Sequence, residues 1–138
     1  MTVLGFQVYD ARLWTAPGFS RGDYAAHPFA LELAYLRDFD GADIARRSLK
    51  EMQGIDSITA PQGERWLALM TRLFPDVKKG DRLTGIHEPG VGVSFLYNDR
   101  PAGEVRDPEF ARLFMGIWLS LRTSEPRLRE QLLAGAAP

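Results

Sequence analysis

Between Val3 and Trp14 apolar and polar side chains alternate, with Phe6, Val8 and Asp10 on one side and Gln7, Tyr9 and Ala11 on the other. That period, in a stretch rich in Val, Phe, Tyr and Trp, predicts one long strand. The Pro- and Gly-containing connection "TAPGFSRGDYAAHP" interrupts it, and "FALELAYLRDF" resumes the period. There Phe29, Leu31, Leu33 and Tyr35 share one face, and Ala30, Glu32, Ala34 and Leu36 the other. Asp40 is the expected cap of a first helix whose stripe is Ile44, Ser48 and Met52, flanked by Ala45 and Leu49. Its opposite face carries Asp43, Arg46, Arg47 and Lys50. Thr59 and Pro61 open a second helix, with Trp66, Leu69, Met70 and Leu73 as its apolar positions and Pro75 as its stop.

Strand periodicity returns at Arg82 to His87 and at Val91 to Tyr97, separated by "EPGVG", and a turn at Asn98 and Asp99 leads into a third short strand. Asp107 as N-cap and Pro108 at the first helical position begin a further helix. Its positions Phe110, Phe114, Ile117, Trp118 and Leu121 form one stripe. A last helix follows Ser124, with Leu128 and Leu132 inward and Gly135 as its stop. Two strands, two helices, three strands and two helices predict an α+β fold, a long antiparallel sheet packed on one face by a layer of helices. A single domain is expected across residues 1–138. The segment "FARLFMGIWLS" concentrates more aromatic bulk than a surface helix requires, so it forms either a closed core or the wall of a cavity.

Composition narrows the functional classes. Seventeen basic and 18 acidic residues leave a formal charge of -1 with both signs interspersed, which is not the basic stripe that attracts nucleic acid. No cysteine is present, so disulfides, thiolate metal sites and thiol nucleophiles are excluded. No apolar run approaches the roughly 20 residues of a membrane helix. The chain opens directly in strand-like sequence, "MTVLGFQVYD", which predicts a trimmed lead-in segment. If that segment includes a signal peptide the expected location is periplasmic, and otherwise cytoplasmic. No serine lies in a GxSxG elbow, and the glycines of "GIHEPGVG" lack the lysine of a phosphate loop, so they are assigned to the hairpin.

The strings "VYDARLW", "FALELAY", "GVGVSFLYNDRPAGEVRDPEFARLFMGIWLS" and "TSEPRLREQLLAG", in this order and spacing, resemble the bacterial chalcone isomerase-like proteins over nearly the whole chain. The resemblance implies a long antiparallel sheet against a helical layer. It also implies a choice of activities, because the wider family includes plant enzymes that cyclise chalcones, noncatalytic fatty-acid-binding relatives and haem-binding relatives. The plant enzymes use an arginine to polarise the substrate and threonine, tyrosine and asparagine to organise hydrogen bonds and water. Aligned through "QVY" and "FDG", the last three positions fall on Leu4, near Ile44 and about Glu51. The arginine belongs to a segment upstream of the first strand. Each missing donor removes on the order of 10²–10³ in rate, so no catalytic residue is assigned.

The resulting expectation is a noncatalytic protein that binds a small apolar or amphipathic, fatty-acid-like molecule between sheet and helices. An isomerase or lyase on another substrate, and a haem-binding domain, are the alternatives. Tyr9, Arg12, Tyr35, Arg37 and Tyr97 are candidate ligand contacts, because a tyrosine or arginine at the end of an apolar cavity can hold a carboxylate. Phe110 and Phe114 are the candidate apolar wall. No cofactor is expected; haem would call on His87 or His27, although His87 reads more simply as an exposed or capping residue at a hairpin end. No metal site is expected, since the histidines have no ligand spacing.

Overall fold

Where the alternation is strongest the chain forms strands, and where it shifts to a helical period the chain crosses over them. The computed structural model describes the backbone of residues 2–3 and 6–136 and the side chains of 8–136. In chain order the elements are β1 (Thr2–Val3), β2 (Phe6–Gln7), β3 (Tyr9–Thr15), a short 3₁₀ segment (Arg21–Ala26), β4 (Phe29–Tyr35), α1 (Gly41–Ile55) and α2 (Ala60–Leu73). They continue with β5 (Arg82–Glu88), β6 (Gly92–Tyr97), β7 (Arg100–Val105), α3 (Pro108–Leu119) and α4 (Pro126–Leu132). Strands β3-β4-β5-β6-β7 form one antiparallel sheet in that order, an α+β arrangement with helices packed on it.

The expected single strand from Val3 to Trp14 is divided. Residues 2–3 pair with 6–7 as a small separate ladder, and the main strand starts only at Tyr9. Val8 and Tyr9 are consequently both buried, because the inside-outside alternation does not extend back through Val8. From Tyr9 onward the inner face runs Tyr9, Ala11 and Leu13, whereas Asp10, Arg12 and the half-exposed Trp14 point away from the helices. Cross-strand register then builds rows on the inner face. One row is Leu13, Leu31, Gly85, Phe95 and Gly103; its neighbour is Ala11, Leu33, Leu83 and Tyr97.

Two local signals, the start of α2 and the Asn98–Asp99 turn, act as the sequence suggests, and a glycine adds a close approach. Thr59 and Gln62 form a reciprocal capping box at α2, whose second residue is Pro61. Asn98 and Asp99 adopt positive φ of 48° and 70°, the conformation of a two-residue turn whose twist matches a hairpin. Gly103 has φ of 136°, and a β-carbon there would lie 2.3 Å from Leu73 Cδ2, so glycine lets α2 approach β7.

Other details differ. Asp40 stands at the N-cap of α1 without a side-chain cap, and the Gly41 amide donates instead to Asp76 Oδ1 at 2.8 Å. Leu121 is not part of the α3 stripe: the helix ends at Leu119, and Leu121 is 84% exposed. The terminal carbonyls of α3 are instead met by Thr123 Oγ1, which donates to Ile117 O at 2.6 Å, and by buried Arg129, whose Nε donates to Leu119 O at 2.9 Å. On α4 the fully buried apolar residue is Leu133, just past its end, while Leu128 and Leu132 are half-buried.

Asp107 joins the two sides of the helical layer. Its Oδ1 accepts the Glu109 and Phe110 amides at 3.0 and 3.2 Å, capping α3, and its Oδ2 accepts Trp66 Nε1 from α2 at 3.1 Å. Trp66 is wholly buried. Asp107→Ala removes the cap and strands the indole N–H, so we expect a loss of about 3 kcal/mol in equilibrium urea unfolding, against a few tenths if neither contact matters.

Candidate functional site

Helix α3 presents Phe114, Met115, Ile117 and Trp118 to the sheet, and all four are buried. Phe114 is the hub of a ring cluster. It stacks on Phe110 at 5.4 Å and 16°, meets Phe95 edge-on at 5.3 Å and 88°, and meets Trp118 at 5.3 Å. Phe74 adds an edge contact with Phe95 at 5.2 Å. This arrangement fills the space toward α2 with aromatic bulk at the offset and edge-to-face separations rings prefer.

Toward α1 the space is not filled. A cavity of about 390 Å³ lies between the inner face of the sheet, α1 and α3. Its sheet wall is Tyr9, Leu31, Leu33, Tyr35, Leu83 and Phe95; its α3 wall is Phe114, Met115, Ile117 and Trp118. Two sequence features leave it open. Gly85 puts no side chain at the centre of its row; a β-carbon added there would lie 3.0 Å from Met115 Cε. Helix α1 contributes only Ile44 and Ser48 from its inner stripe, and Ser48 Oγ donates back to Ile44 O at 2.8 Å rather than into the space.

Polar side chains gather at the rim. Arg37, Asp43 and Arg47 are exposed and line the opening, with half-buried Glu51 beside them. The assignment of Asp43 and Arg47 to the far face of α1 is therefore corrected: Ile44, Arg47, Ser48 and Glu51 follow offsets of three, four and seven and form one edge. Asp43 is engaged by Arg46, and Glu51 Oε2 accepts Ser124 Oγ at 2.7 Å. Deeper, Trp118 Nε1 donates to Tyr9 Oη at 2.7 Å, and the Tyr9 and Tyr35 rings meet edge-on at 5.6 Å. Burial raises the pKa of both tyrosines well above the usual value of 10.0, so both are neutral phenols.

Of the residues predicted to touch ligand, Tyr9, Tyr35, Arg37 and Phe114 line the cavity. Three do not. Arg12 lies on the outer face, opposite Glu32 in the register, because the main strand begins at Tyr9 and places even-numbered residues outward. Tyr97 donates its hydroxyl to Asp81 Oδ2 at 2.7 Å at the end of the sheet, an interaction that raises its pKa. Phe110 is wholly buried one turn away, edge-on to Trp66 at 5.8 Å. Sequence periodicity singled out Phe114 but not Arg47, whose place in the α1 stripe was the available signal. Of the positions aligned with catalytic residues, Ile44 and Glu51 line the cavity, where isoleucine offers no hydrogen bond; Leu4 lies outside the described residues.

Neither histidine reaches the cavity. His87 is not exposed at a hairpin end but buried, because it points to the inner face of β5 and stacks on Phe29 at 4.7 Å. Its Nδ1 lies 2.8 Å from His27 O, so Nδ1 carries the proton and donates to that carbonyl. His27 Nε2 is 3.1 Å from Asp23. A haem held in this cavity would gain no imidazole ligand from either. Among the described residues no group of three or more His, Asp or Glu is placed to hold a metal ion, and no helix is long and apolar enough to cross a membrane.

The family profile described as chalcone isomerase-like matches residues 3–134. The chain belongs to this family. It is 29% identical over 128 residues to an uncharacterized protein of Haemophilus influenzae, covering 93% of this chain and 61% of that protein. The chain thus spans less than two thirds of that relative's length. A crystal structure of an Arabidopsis thaliana fatty-acid binding protein shares the fold, with a TM-score of 0.72 and 11% identity over 96% of this chain and 81% of that one.

Burial lowers the His87 pKa from 6.5. The folded state then binds fewer protons than the unfolded state as pH falls through 6.5, so the stability from neutral His87 is present above that value and is lost below it. Denaturation midpoints taken between about pH 7 and about pH 5.5 should fall, and His87→Phe should flatten that slope; equal slopes would contradict the assignment.

Proposed function

We propose that the chain is a noncatalytic binding protein that holds one small apolar or amphipathic molecule, such as a fatty acid, in the cavity beneath α3. The observation that carries this reading is the cavity itself, about 390 Å³ of mostly apolar space, within the range that small-molecule sites occupy. Solid packing at the density of ordinary protein interiors would leave no such space. The partition of its lining supports an amphipathic guest: hydrocarbon against Leu31, Leu33, Phe114 and Trp118, and a polar end near Arg37 and Arg47 at the rim. The fold shared with a fatty-acid binding protein agrees with this use of the same architecture.

The lining does not favour ring closure. The two described positions that align with hydrogen-bonding residues of the cyclising enzymes are Ile44, which offers no hydrogen bond, and Glu51, whose carboxylate accepts from Ser124. A developing oxyanion would meet no donor from these two positions.

Native mass spectrometry of the purified protein, followed by organic extraction, should show a bound hydrophobe at one per chain, and medium-chain fatty acid should raise the melting temperature. Saturation at 100 times Kd corresponds to about 2.7 kcal/mol of added stability. Ile44→Trp, which narrows the opening from a half-buried position, should weaken binding about tenfold or more while leaving the fold intact. Absence of any adduct together with unchanged melting across such ligands would overturn the proposal, as would efficient flavanone formation from chalcone.

A further inference from the structure

Every buried tyrosine hydroxyl in this layer has an evident task except one. Tyr9 is paired with Trp118, and Tyr24 donates to Arg112 O at 3.0 Å. Tyr35 is 3% exposed, yet its hydroxyl makes no hydrogen bond to any described residue. Among the described residues no fully enclosed side-chain N or O lacks a partner, so this hydroxyl is not sealed in; with Tyr35 lining the cavity, it opens onto that space. Register explains the placement. Tyr35 ends β4 directly opposite Tyr9, so the two rings meet edge-on, and Phe39 closes the other side at 5.8 Å.

A phenol so placed has no protein partner, so in the empty cavity only water can meet it, at less than full hydration. Phenylalanine would pack the same wall without a polar group to satisfy. A guest that brings an oxygen to the hydroxyl supplies the missing partner.

The surroundings say which kind of oxygen. The guanidinium groups that line the cavity, Arg37 and Arg47, are exposed at its rim, whereas Tyr35 is buried with its ring against the neutral Tyr9 and Phe39. A carboxylate carried in to Tyr35 would be stripped of water with no opposite charge beside it, which is far more costly than burying a neutral carbonyl that receives one hydrogen bond. Donation to a neutral acceptor returns the ordinary value of a hydrogen bond without that cost.

We propose that the Tyr35 hydroxyl is the cavity's internal recognition group, donating to a neutral oxygen of the guest, so that the site selects oxygenated hydrophobes of the ketone, ester or alcohol class over hydrocarbons of equal length. This rests on the cavity being a binding site and adds to it the chemistry the site selects for.

The test compares wild-type protein with Tyr35→Phe, measuring displacement of anilinonaphthalene sulfonate by a medium-chain methyl ketone, the alcohol, the carboxylate and the terminal alkene of equal length. In wild type the ketone and alcohol should bind more tightly than the alkene. In Tyr35→Phe they should weaken about three- to tenfold, the value of one neutral hydrogen bond, while the alkene is unchanged. The variant's melting temperature without ligand should equal or exceed that of wild type, whereas a purely structural hydroxyl would lower it on removal. If all four compounds bind but Tyr35→Phe affects them equally, the recognition role is wrong and the binding reading stands. If the carboxylate alone weakens, the hydroxyl reads an anion and the neutral-oxygen claim is overturned. If nothing displaces the probe in wild type, the binding reading fails, and this proposal with it.

Discussion

The structure depends most on how far α3 is held from the sheet, and the Phe114 ring sets that distance. It is wedged between Phe110 on its own helix, Phe95 on β6 and Trp118 one turn on, with ring centroids 5.3 to 5.4 Å apart. Rings at these separations are already in contact, and they are too wide to interleave as aliphatic side chains do. The helix is therefore propped up along its length by the ridge that binds it. Toward α2 the gap is filled by Phe110 against Trp66, and Phe74 and Phe95 bound the open part; toward α1 the opposing positions are Gly85, Ile44 and Ser48, and the gap remains.

That asymmetry divides the interior into a part that stabilises and a part that receives. The α2 side carries Trp66, Met70 and Phe110, all wholly buried, with Asp107 tying the indole of one helix to the cap of another. The α1 side keeps its polar groups at the rim or bonded to one another, apart from the Tyr35 hydroxyl. An open apolar space forfeits dispersion contacts along its lining, so the packed side must supply enough burial to tolerate it. The C-terminal residues help: Arg129 and Thr123 satisfy the last carbonyls of α3, which holds the helix carrying the ridge in one position.

Much of the fold was legible because each element is specified by a short-range signal. Pro108 after Asp107, the Thr59 to Gln62 box and Asn98-Asp99 are local chemistry, and all act as their sequence implies. Alternation along β4 gave its inner face correctly, and with it Tyr35. Other features depend on pairing or on distant residues. The break before Tyr9 reverses the expected role of Val8 and sends Arg12 outward, and the period alone does not show where a strand starts. The burial of His87 follows from its opposition to Phe29, a partner far away in sequence. Leu121 continues the helical stripe on paper, but α3 stops before it because Ser120 is already extended. Arg47 shares the i, i+3, i+4 pattern of Ile44, Ser48 and Glu51, but its charge places it by composition on the opposite face of α1. The cavity is least legible, since a void is a missing contact and no residue announces it; only the excess of Phe, Met and Trp in α3 hinted at it.

The claim that α3 is propped open over an apolar space is tested most directly by a crystal structure at atomic resolution, collected from crystals pressurised with xenon. Xenon enters dry apolar cavities and marks them with strong density. The account predicts xenon, or a co-purified hydrophobe excluding it, between Phe114, Trp118 and Leu33. Side chains filling that volume, with neither gas nor guest present, would contradict it.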